Sequence, residues 1–557
     1  MIRSKMVSYC ESMQEKHCPE IVLHNANLAS GNTNTPILPT ADALALCRGR
    51  IIALGSSDDM LHLAGPDTQK IDLDGRLIVP GFFDSHIHFY EWALKRRDLQ
   101  LDDLASLEEL LARVQNSAQN LAPGQWIMGQ GWNETEWSVP RQPSRQSLDQ
   151  AAPDHPVLLW RCDLHMAVAN SAALRLAGID NTTPDPPEGR IERDEAGEPT
   201  GVLRELAINL VRRAIDAPTA ARVTDAFADG IKALHRWGIT SIQDIRLMAD
   251  SDGASSFQCF QQLDQDGQLD LRCWMSLPGH QLEDIIGLGL RSGFGSDCLR
   301  IGHIKFFSDG GMGARTAWMI DPYLDAERGM PLMDMQLLAR DIEKADRAGL
   351  SVMVHAIGDR ANREIISLFE DLAEKRKTYP TPLPPAFRHR IEHVQMIRPE
   401  DVKRIGTLNL ALNVTPANMI LDINLIDRIV AEKGQWAYAF RQLIDTGAPV
   451  MFSSDCPVCS PDPLPAIHAA VTRQRPDGTP EQGWYPKARI SVAEALNAYT
   501  SVPAAVHNAS NLGAIAPGNR ADLAVLSTNI LNDPPSSIPG TQVDMTLFDG
   551  RIVHRLF

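Results

Sequence analysis

The stretch Leu77-Ile-Val-Pro-Gly-Phe-Phe-Asp-Ser-His-Ile-His-Phe89 joins an apolar run to two histidines that are one residue apart. A short apolar run is typical of a buried strand, and side chains at positions i and i+2 of a strand point the same way. His86 and His88 can therefore bind one metal ion together. Because the chain contains 16 histidines, this pair alone does not identify a metal site. Matching patterns are needed further along the chain.

Other short apolar runs carry metal-competent residues as well, and each is followed by a Gly, Pro or Asp turn signal. Ile301–Phe307 carries Lys305, Leu350–His355 ends in His355, Arg390–His393 ends in His393, and Pro449–Asp455 ends in Asp455. The recurrence of one pattern at four further places is difficult to obtain by accident.

Helical stretches lie between these runs. In Met335–Ala348 and Ala361–Glu374 the apolar residues recur at three- and four-residue intervals. Strands that alternate with helices predict a parallel sheet with right-handed crossovers. We expect eight strands, the number that closes a (β/α)₈ TIM barrel, at about 80–87, 239–243, 271–277, 301–307, 350–355, 389–393, 408–414 and 450–454. In such a barrel the reactive groups lie at the carboxyl ends of the strands, where all six residues fall.

This arrangement resembles the binuclear metal site of the amidohydrolase superfamily. His-x-His follows strand one, Lys305 follows strand four, His355 and His393 follow strands five and six, and Asp455 follows strand eight. Longer motifs are similar to the amidohydrolase 3 branch, which includes the N-substituted formamide deformylases. These motifs are Ile304-Lys-Phe-Phe-Ser-Asp-Gly-Gly-Met-Gly-Ala-Arg-Thr-Ala317, His355-Ala-Ile-Gly-Asp-Arg-Ala361, Glu392-His-Val-Gln395 and Ser453-Ser-Asp-Cys-Pro-Val458. The similarity runs from about residue 20 to about residue 555.

The resemblance implies two divalent ions, with zinc as the expected metal. His86, His88 and Asp455 would hold one ion and His355 and His393 the other. A hydroxide and Lys305, N-carboxylated by CO₂, would bridge them. Two alternatives stay open: a one-metal site in which Lys305 is an ordinary amine, and an ion pair between Lys305 and Asp309.

The implied reaction is hydrolysis of a C–N amide bond by a metal-bound hydroxide, with Asp455 as the catalytic base and acid. The expected substrate is an N-formyl or N-acyl amine that is uncharged and hydrophobic, because the chain shows no Arg cluster for a phosphate. Carbamate cleavage, lactone opening and ring deamination on the same metal site stay open. An alternative of another class is a noncatalytic, metal-free binding scaffold.

The chain is too long for a barrel alone. We expect a disordered extension at 1–18, a small β-sandwich built from 19–79 and 510–557, and the TIM barrel at 80–509. An insertion at about 95–225, after strand one, is expected to lie over the active site. Trp132, His165 and Asp309 are candidate substrate contacts. For Trp132 and His165 the alternatives are core packing and a structural histidine.

Composition excludes several classes of function. The net charge is −17, without the clustered Lys and Arg of a nucleic-acid surface. Neither a signal peptide nor a membrane span is expected, so the predicted location is the cytoplasm and the predicted partner is a small-molecule substrate. A homodimer stays open.

The nine cysteines are scattered, which favours reduced thiols over a disulfide framework. Cys456 and Cys459 have the spacing of a redox or zinc motif, but no second such pair completes a zinc site. We interpret them as small buried side chains.

Overall fold

The structure is a computed structural model that describes residues 18–31, 37–101, 104–134, 137–161, 166–186, 189–205, 207–245, 254–384 and 387–557. The chain divides into two compact units. The first, which we call the barrel unit, consists of Met1–Phe89 and Ile231–Phe557, and the second unit is Tyr90–Gly230.

The strands of the described residues are numbered in chain order. They are β1 Ile21–His24, β2 Asn27–Leu28, β3 Ala43–Cys47, β4 Arg50–Gly55, β5 Gln69–Asp72, β6 Leu77–Pro80, β7 Phe82–Ile87, β8 Leu99–Gln100, β9 Ile127–Trp132, β10 Val157–Arg161, β11 Met166–Ala169, β12 Gly189–Arg193, β13 Pro199–Glu205, β14 Ile239–Asp244, β15 Arg272–Pro278, β16 Leu299–Phe307, β17 Ser351–Ala356, β18 His389–His393, β19 Leu410–Val414, β20 Val450–Phe452, β21 Leu523–Leu526, β22 Val543–Phe548 and β23 Arg551–Arg555.

The α-helices are numbered in the same way. They are α1 Ser57–His62, α2 Phe89–Lys95, α3 Leu107–Gln119, α4 Arg145–Ala151, α5 Ser171–Leu176, α6 Ile208–Arg212, α7 Ala220–Arg236, α8 Ser255–Gln265, α9 Leu282–Gly287, α10 Met335–Arg347, α11 Asp359–Lys375, α12 Pro399–Ile405, α13 Pro416–Val430, α14 Phe440–Asp445, α15 Pro463–Thr472, α16 Val492–Ala498 and α17 Ser501–Val506. Of the helices in the described residues, none has both the length and the apolar composition needed to span a bilayer.

An eight-stranded parallel sheet forms the centre of the barrel unit. Its strands follow the order β7-β14-β15-β16-β17-β18-β19-β20. Asp455 N–H donates to His86 O at 2.8 Å, and His88 N–H donates to Cys456 O at 2.9 Å. These bonds join the first barrel strand to the segment after the last one. We call this junction, residues 84–88 with 454–456, the seam. The predicted (β/α)₈ barrel is confirmed.

Helices between the barrel strands bury one apolar face each, and α10 is an example. The Asp334 carboxylate caps the helix by accepting the N–H of Leu337 at 2.8 Å. Leu338, Ile342 and Ala345 recur at three- and four-residue intervals and are buried. The sequence pattern therefore decides both the helix and the face it presents to the barrel.

Both ends of the described chain contribute to a β-sandwich in the barrel unit. One sheet has the order β4-β3-β1-β5 and the other β2-β6-β21-β22-β23. Strand β21 pairs antiparallel with β6, which immediately precedes the first barrel strand. Leu23, Leu46, Ile78, Val525 and Leu547 are fully or almost fully buried in one shared apolar core. The predicted sandwich is confirmed.

The second unit contains a six-stranded sheet of order β12-β13-β11-β10-β9-β8. Apolar side chains form two buried clusters in this unit, one of which includes Trp132 and the other Leu203. The predicted insertion at about 95–225 lies within this unit in sequence. Its position over the active site stays a prediction.

Candidate metal centre

His86, His88 and Asp455 lie together at the carboxyl end of the barrel. His86 Nε2 and His88 Nε2 are 3.4 Å and 3.3 Å from the same oxygen, Oδ1 of Asp455. One ligand atom from each residue lies within 4.8 Å of the others. No other group of three or more His, Cys, Asp and Glu side chains in the described residues has this spacing. The donor atoms fit a divalent ion such as zinc.

His355 and His393 lie beside this trio. Their ring centroids are 4.5 Å apart, and the His393 ring is 5.0 Å from that of His86. His393 Nδ1 is 4.0 Å from Asp455 Oδ2. The structure thus brings the four predicted histidines and Asp455 to one place. Their individual roles as ligands stay predictions.

Lys305 brings a buried amine to the same region. Its Nζ has no hydrogen-bond partner within the described residues, and the side chain is 3% exposed. Burial lowers the pKa of Lys305 to about 8, although the charges of Glu392 and Asp455 oppose this shift. The alternative ion pair with Asp309 does not form. A buried polar atom without a partner is costly, so this amine fits a group that adds to it.

A buried carboxylate behind His86 fixes the orientation of that ring. Glu392 Oε2 is 2.5 Å from His86 Nδ1, and Arg390 donates to both Glu392 oxygens at 2.9 Å and 3.1 Å. Because the carboxylate can only accept, Nδ1 carries the proton and Nε2 keeps a free electron pair on the side of Asp455. His88 is held similarly, with Nδ1 3.0 Å from the carbonyl oxygen of Ile245.

Glu392 was not predicted as a functional residue, although it precedes His393. Adjacent residues of a regular strand point to opposite faces, so only one of the two is expected inside the barrel. His393 has a φ of 71°, which breaks this alternation at the strand end. The signal that could have identified Glu392 is its i+2 relation to Arg390 on one strand face.

Asp84 holds the seam together next to the trio. Its carboxylate accepts Ser454 Oγ–H at 2.5 Å, Ser454 N–H at 3.1 Å and His86 N–H at 3.2 Å. Asp455 follows with a φ of 55°. A left-handed backbone at a non-glycine residue costs about 1–3 kcal/mol, and it persists where surrounding contacts fix it. The seam contacts therefore aim the Asp455 carboxylate.

Burial holds most of the site histidines in the neutral form. It lowers the pKa of His86 to about 4 and that of His393 to about 3, and it places the pKa of His355 well below its ordinary value. For His88, burial is outweighed by the hydrogen bond and charge of Asp455, which raise the pKa.

The pKa of Asp455 lies well below its ordinary value. Burial would raise it, but the hydrogen bond with His88 and the charges of His86 and His393 outweigh that effect. Metal ligation requires neutral imidazoles and ionised carboxylates, so this environment favours the ligating forms of His86, His355, His393 and Asp455, whereas the raised pKa of His88 favours its protonated form until a metal replaces the proton.

The three predicted substrate contacts have different outcomes. Trp132 is fully buried in the core of the second unit, and its Nε1 donates to Glu134 at 2.9 Å. This is the environment of a packed core residue, the alternative given above. His165 lies outside the described residues. The Asp309 carboxylate accepts backbone N–H groups of Trp318, Ile357 and Gly358 at 2.8, 3.0 and 2.8 Å, so it fixes local backbone. The substrate contacts stay predictions.

Cys456 and Cys459 are buried and in the thiol form. Burial raises the pKa of Cys459 to about 12, which disfavours the thiolate needed for redox or metal chemistry.

Comparisons with known proteins place the chain in a family. The sequence profile of the amidohydrolase family matches residues 69–554. The protein LONG AFTER FAR-RED 3 of Arabidopsis thaliana is 33% identical over 89% of this chain and 86% of its own length. An N-substituted formamide deformylase of Arthrobacter pascens is 27% identical over 95% of this chain and 97% of its own. The crystal structure of an uncharacterized metal-dependent hydrolase from Pyrococcus furiosus superposes with a TM-score of 0.74 at 29% identity, covering 92% of this chain and 100% of that one. With its barrel and its cluster of metal-competent side chains, the chain belongs to the amidohydrolase family.

Proposed function

We propose that the protein hydrolyses the C–N amide bond of a small N-acyl amine, with N-formyl amines as the first candidates. The observation that carries this proposal is the trio His86, His88 and Asp455 beside His355, His393 and the buried amine of Lys305, which has no hydrogen-bond partner in the described residues. The relative named N-substituted formamide deformylase, which aligns with nearly the whole chain, supports the formamide substrate.

The residues fit two divalent ions, with zinc as the proposed metal. His86, His88 and Asp455 would hold one ion, and His355 and His393 the other, with N-carboxylated Lys305 between them. When bound, such ions polarise a carbonyl and lower the pKa of a water molecule. Glu392 holds the His86 ring with Nε2 toward this position.

Asp455 is the proposed proton carrier. Its carboxylate would accept a proton as water adds to the amide carbonyl carbon, and would return that proton to the nitrogen as the C–N bond breaks. The products are a free amine and a carboxylate, which is formate for an N-formyl substrate. Because the carboxylate lies between two imidazoles, its position is fixed before substrate binds.

A substrate screen with metal analysis tests this function. The purified, zinc-loaded protein is assayed on N-formyl amines, N-acetyl amines, carbamates, lactones and aminated heterocycles. We expect hydrolysis of the N-formyl or N-acyl amines, loss of activity on chelation and recovery with zinc. If the protein hydrolyses only carbamates or only lactones, or only deaminates heterocycles, the reaction is reassigned to that class. A folded, metal-loaded protein inactive on all classes would exclude the hydrolase.

The state of Lys305 is tested separately. Protein prepared with bicarbonate should contain two ions per chain and a carboxylated Lys305, seen by ¹³C NMR with labelled bicarbonate. Lys305→Ala should be inactive and should recover in part with short carboxylic acids that replace the carbamate. One ion per chain and an unmodified Lys305 would contradict the binuclear site and leave the hydrolase proposal intact.

A further inference from the structure

A cavity of about 290 Å³ opens at the carboxyl ends of β15 and β16 in the barrel unit. Apolar side chains form most of its wall. Its lining includes Gly279, Phe306, Phe307, Leu332, Met333 and Leu337. Pockets for whole drug-sized ligands run from about 300 to 1,000 Å³, so this cavity suits one part of a small molecule.

Phe307 connects this cavity to the candidate metal centre. Its ring centroid is 4.7 Å from Lys305 Nζ and 5.6 Å from the His355 ring. Lys305 and Phe307 also line the cavity. A molecule with its reacting bond at the metal centre would therefore pass Phe307 to place an arm in the cavity.

The wall of the cavity is formed before anything binds. The Phe306 ring lies directly against Gly279, where an added Cβ would be 2.4 Å from the ring. On the opposite side Leu332 N–H donates to Ser308 O at 2.9 Å, which ties the 331–333 segment to the end of β16. A fixed wall can discriminate between groups of different size, because little reorganisation is available to accommodate them.

The exposure and charge of the lining define what the cavity accepts. Leu332 and Leu337 are 40% and 43% exposed, so an apolar occupant would remove large apolar side chains from water. The titratable residues of the wall are His280, Lys305 and Asp341, and they form the smaller part of the lining. A carboxylate on the occupant would lose its hydration against the apolar side chains that form most of the wall.

We propose that this cavity is the specificity pocket of the enzyme and receives an uncharged apolar group of the substrate, such as a single ring or a short branched alkyl chain. The proposal rests on the proposed function, since it places the reacting amide beside Lys305. Substrates with a methyl group on that arm would leave the pocket unfilled. Substrates with a terminal carboxylate would be excluded from it.

Leu337→Trp tests the pocket, because it fills the mouth from a partly exposed position on α10. The matched control is Leu288→Trp, which places the same side chain at a position that is 76% exposed and outside the lining. Two substrate series are used: formamides with N-methyl or N-cyclohexyl groups, and N-methylamides with acetyl or cyclohexanecarbonyl groups.

One of the two series varies the group that enters the pocket. In that series we expect wild type to have a higher kcat/KM for the cyclohexyl substrate than for the methyl substrate. Leu337→Trp should lower kcat/KM for the cyclohexyl substrate by about tenfold or more and should leave the methyl substrate within about twofold, since a small difference in fit to an apolar pocket is worth about 10–200-fold. Leu288→Trp should change neither. If the ratio of kcat/KM for the cyclohexyl substrate to kcat/KM for the methyl substrate is the same in Leu337→Trp as in wild type, the proposed pocket is wrong.

If wild type hydrolyses no substrate of either series, the proposed function is contradicted. The pocket is then tested separately, by measuring the binding of a small apolar ligand. Fluorobenzene serves as the ¹⁹F NMR probe on the zinc-loaded protein. Line broadening should appear with wild type and Leu288→Trp and should be lost with Leu337→Trp. Met333→Trp provides a second variant if Leu337→Trp fails to fold. Broadening that persists in a folded pocket variant would overturn the proposal.

Discussion

At the scale of single residues, the two oxygens of the Asp455 carboxylate have different neighbours. Its Oδ1 is shared by His86 and His88, while Oδ2 lies nearer His393. In the proposed mechanism one oxygen would serve as a ligand while the other faces the reacting atoms. The backbone that presents them is left-handed, with a φ of 55° at Asp455.

Asp455→Asn should preserve the fold and much of the metal content but lower kcat by about 10²–10⁴-fold, because an amide cannot carry the proton. Steady-state kinetics, circular dichroism and metal analysis of the same sample check this. Cys459→Ser, a buried change nearby in sequence, should leave kcat within a few fold. A near-native kcat in Asp455→Asn would remove this residue from the mechanism.

Glu392→Gln should weaken zinc binding by about 10–100-fold, since the carboxylate that orients His86 is lost. Competition with a zinc-binding dye measures the affinity independently of activity. Asp346→Asn is the control, because Asp346 is a buried acid of the same barrel that pairs with Arg376 and His389. Wild-type affinity in folded Glu392→Gln would show that Glu392 does not position the ligand.

At the scale of elements, the apolar runs predicted the barrel strands closely. The strand expected at about 301–307 is Leu299–Phe307, and the one expected at 389–393 is His389–His393. Period-two patterns and turn signals are local, so they can be read from sequence. They also placed His86, His88, Lys305, His355, His393 and Asp455 at strand ends.

Contacts between side chains on strands that are distant in sequence could not be predicted from such local patterns. The bond between Glu392 and His86 joins residues 306 positions apart, and nothing local in the sequence indicates it. Trp132 was a candidate substrate contact because its segment follows the first barrel strand, whereas its burial depends on the packing of a whole unit and could not be read from that position in the sequence. The large apolar pocket wall at Phe306 and Phe307 likewise emerges only when β15 and β16 are paired.

Helix α10 is tied to β18 through Asp346 at its carboxyl end. The Asp346 carboxylate accepts Arg376 Nε–H at 3.0 Å and Tyr379 O–H at 2.8 Å, and it lies 3.2 Å from His389 Nε2. Asp346 is fully buried. Burial would raise the pKa of Asp346, but the hydrogen bonds with His389 and Arg376 hold it well below its ordinary value.

Asp346→Asn should lower the free energy of unfolding by about 3–5 kcal/mol at pH 7, because the partly buried Arg376 loses its counter-charge. A depressed Asp pKa stabilises the fold above the unfolded-state pKa of about 3.9, and this contribution disappears as the pH falls below it. Urea denaturation at pH 7 and pH 3 should therefore show a difference between wild type and variant that shrinks in acid. Glu343→Gln on the same helix, with partners that are partly exposed, should cost less than about 1 kcal/mol. If Asp346→Asn and Glu343→Gln lose the same free energy of unfolding at pH 7, this prediction is wrong.

At the scale of the whole molecule, the candidate metal centre coincides with the seam of the barrel. The trio takes His86 from the first barrel strand, His88 from the residue directly after that strand, and Asp455 from the segment after the last strand. Asp84 and Ser454, which bond across the seam, are 370 residues apart in sequence. An ion held by the trio would therefore fasten the barrel closed.

Zinc should raise the melting temperature of the metal-free protein. The stabilisation is about 2.7 kcal/mol when free zinc is 100 times its Kd. Differential scanning calorimetry with and without a chelator measures it. The double variant His86→Ala, His88→Ala should fold and show no zinc-dependent shift. A shift as large as that of wild type would place the stabilising ion elsewhere.

The position of the trio across the seam also sets an order of events during biosynthesis. His86 and His88 leave the ribosome early, when they offer only two of the donors, whereas Asp455 leaves after most of the barrel has been translated. A two-donor site binds metal more weakly than a three-donor site, so the proposed ion would bind tightly to a nascent chain only after its last barrel strand has docked. Metal uptake would thereby follow translation of the barrel, and a protein that carries the ion would be one whose barrel has closed.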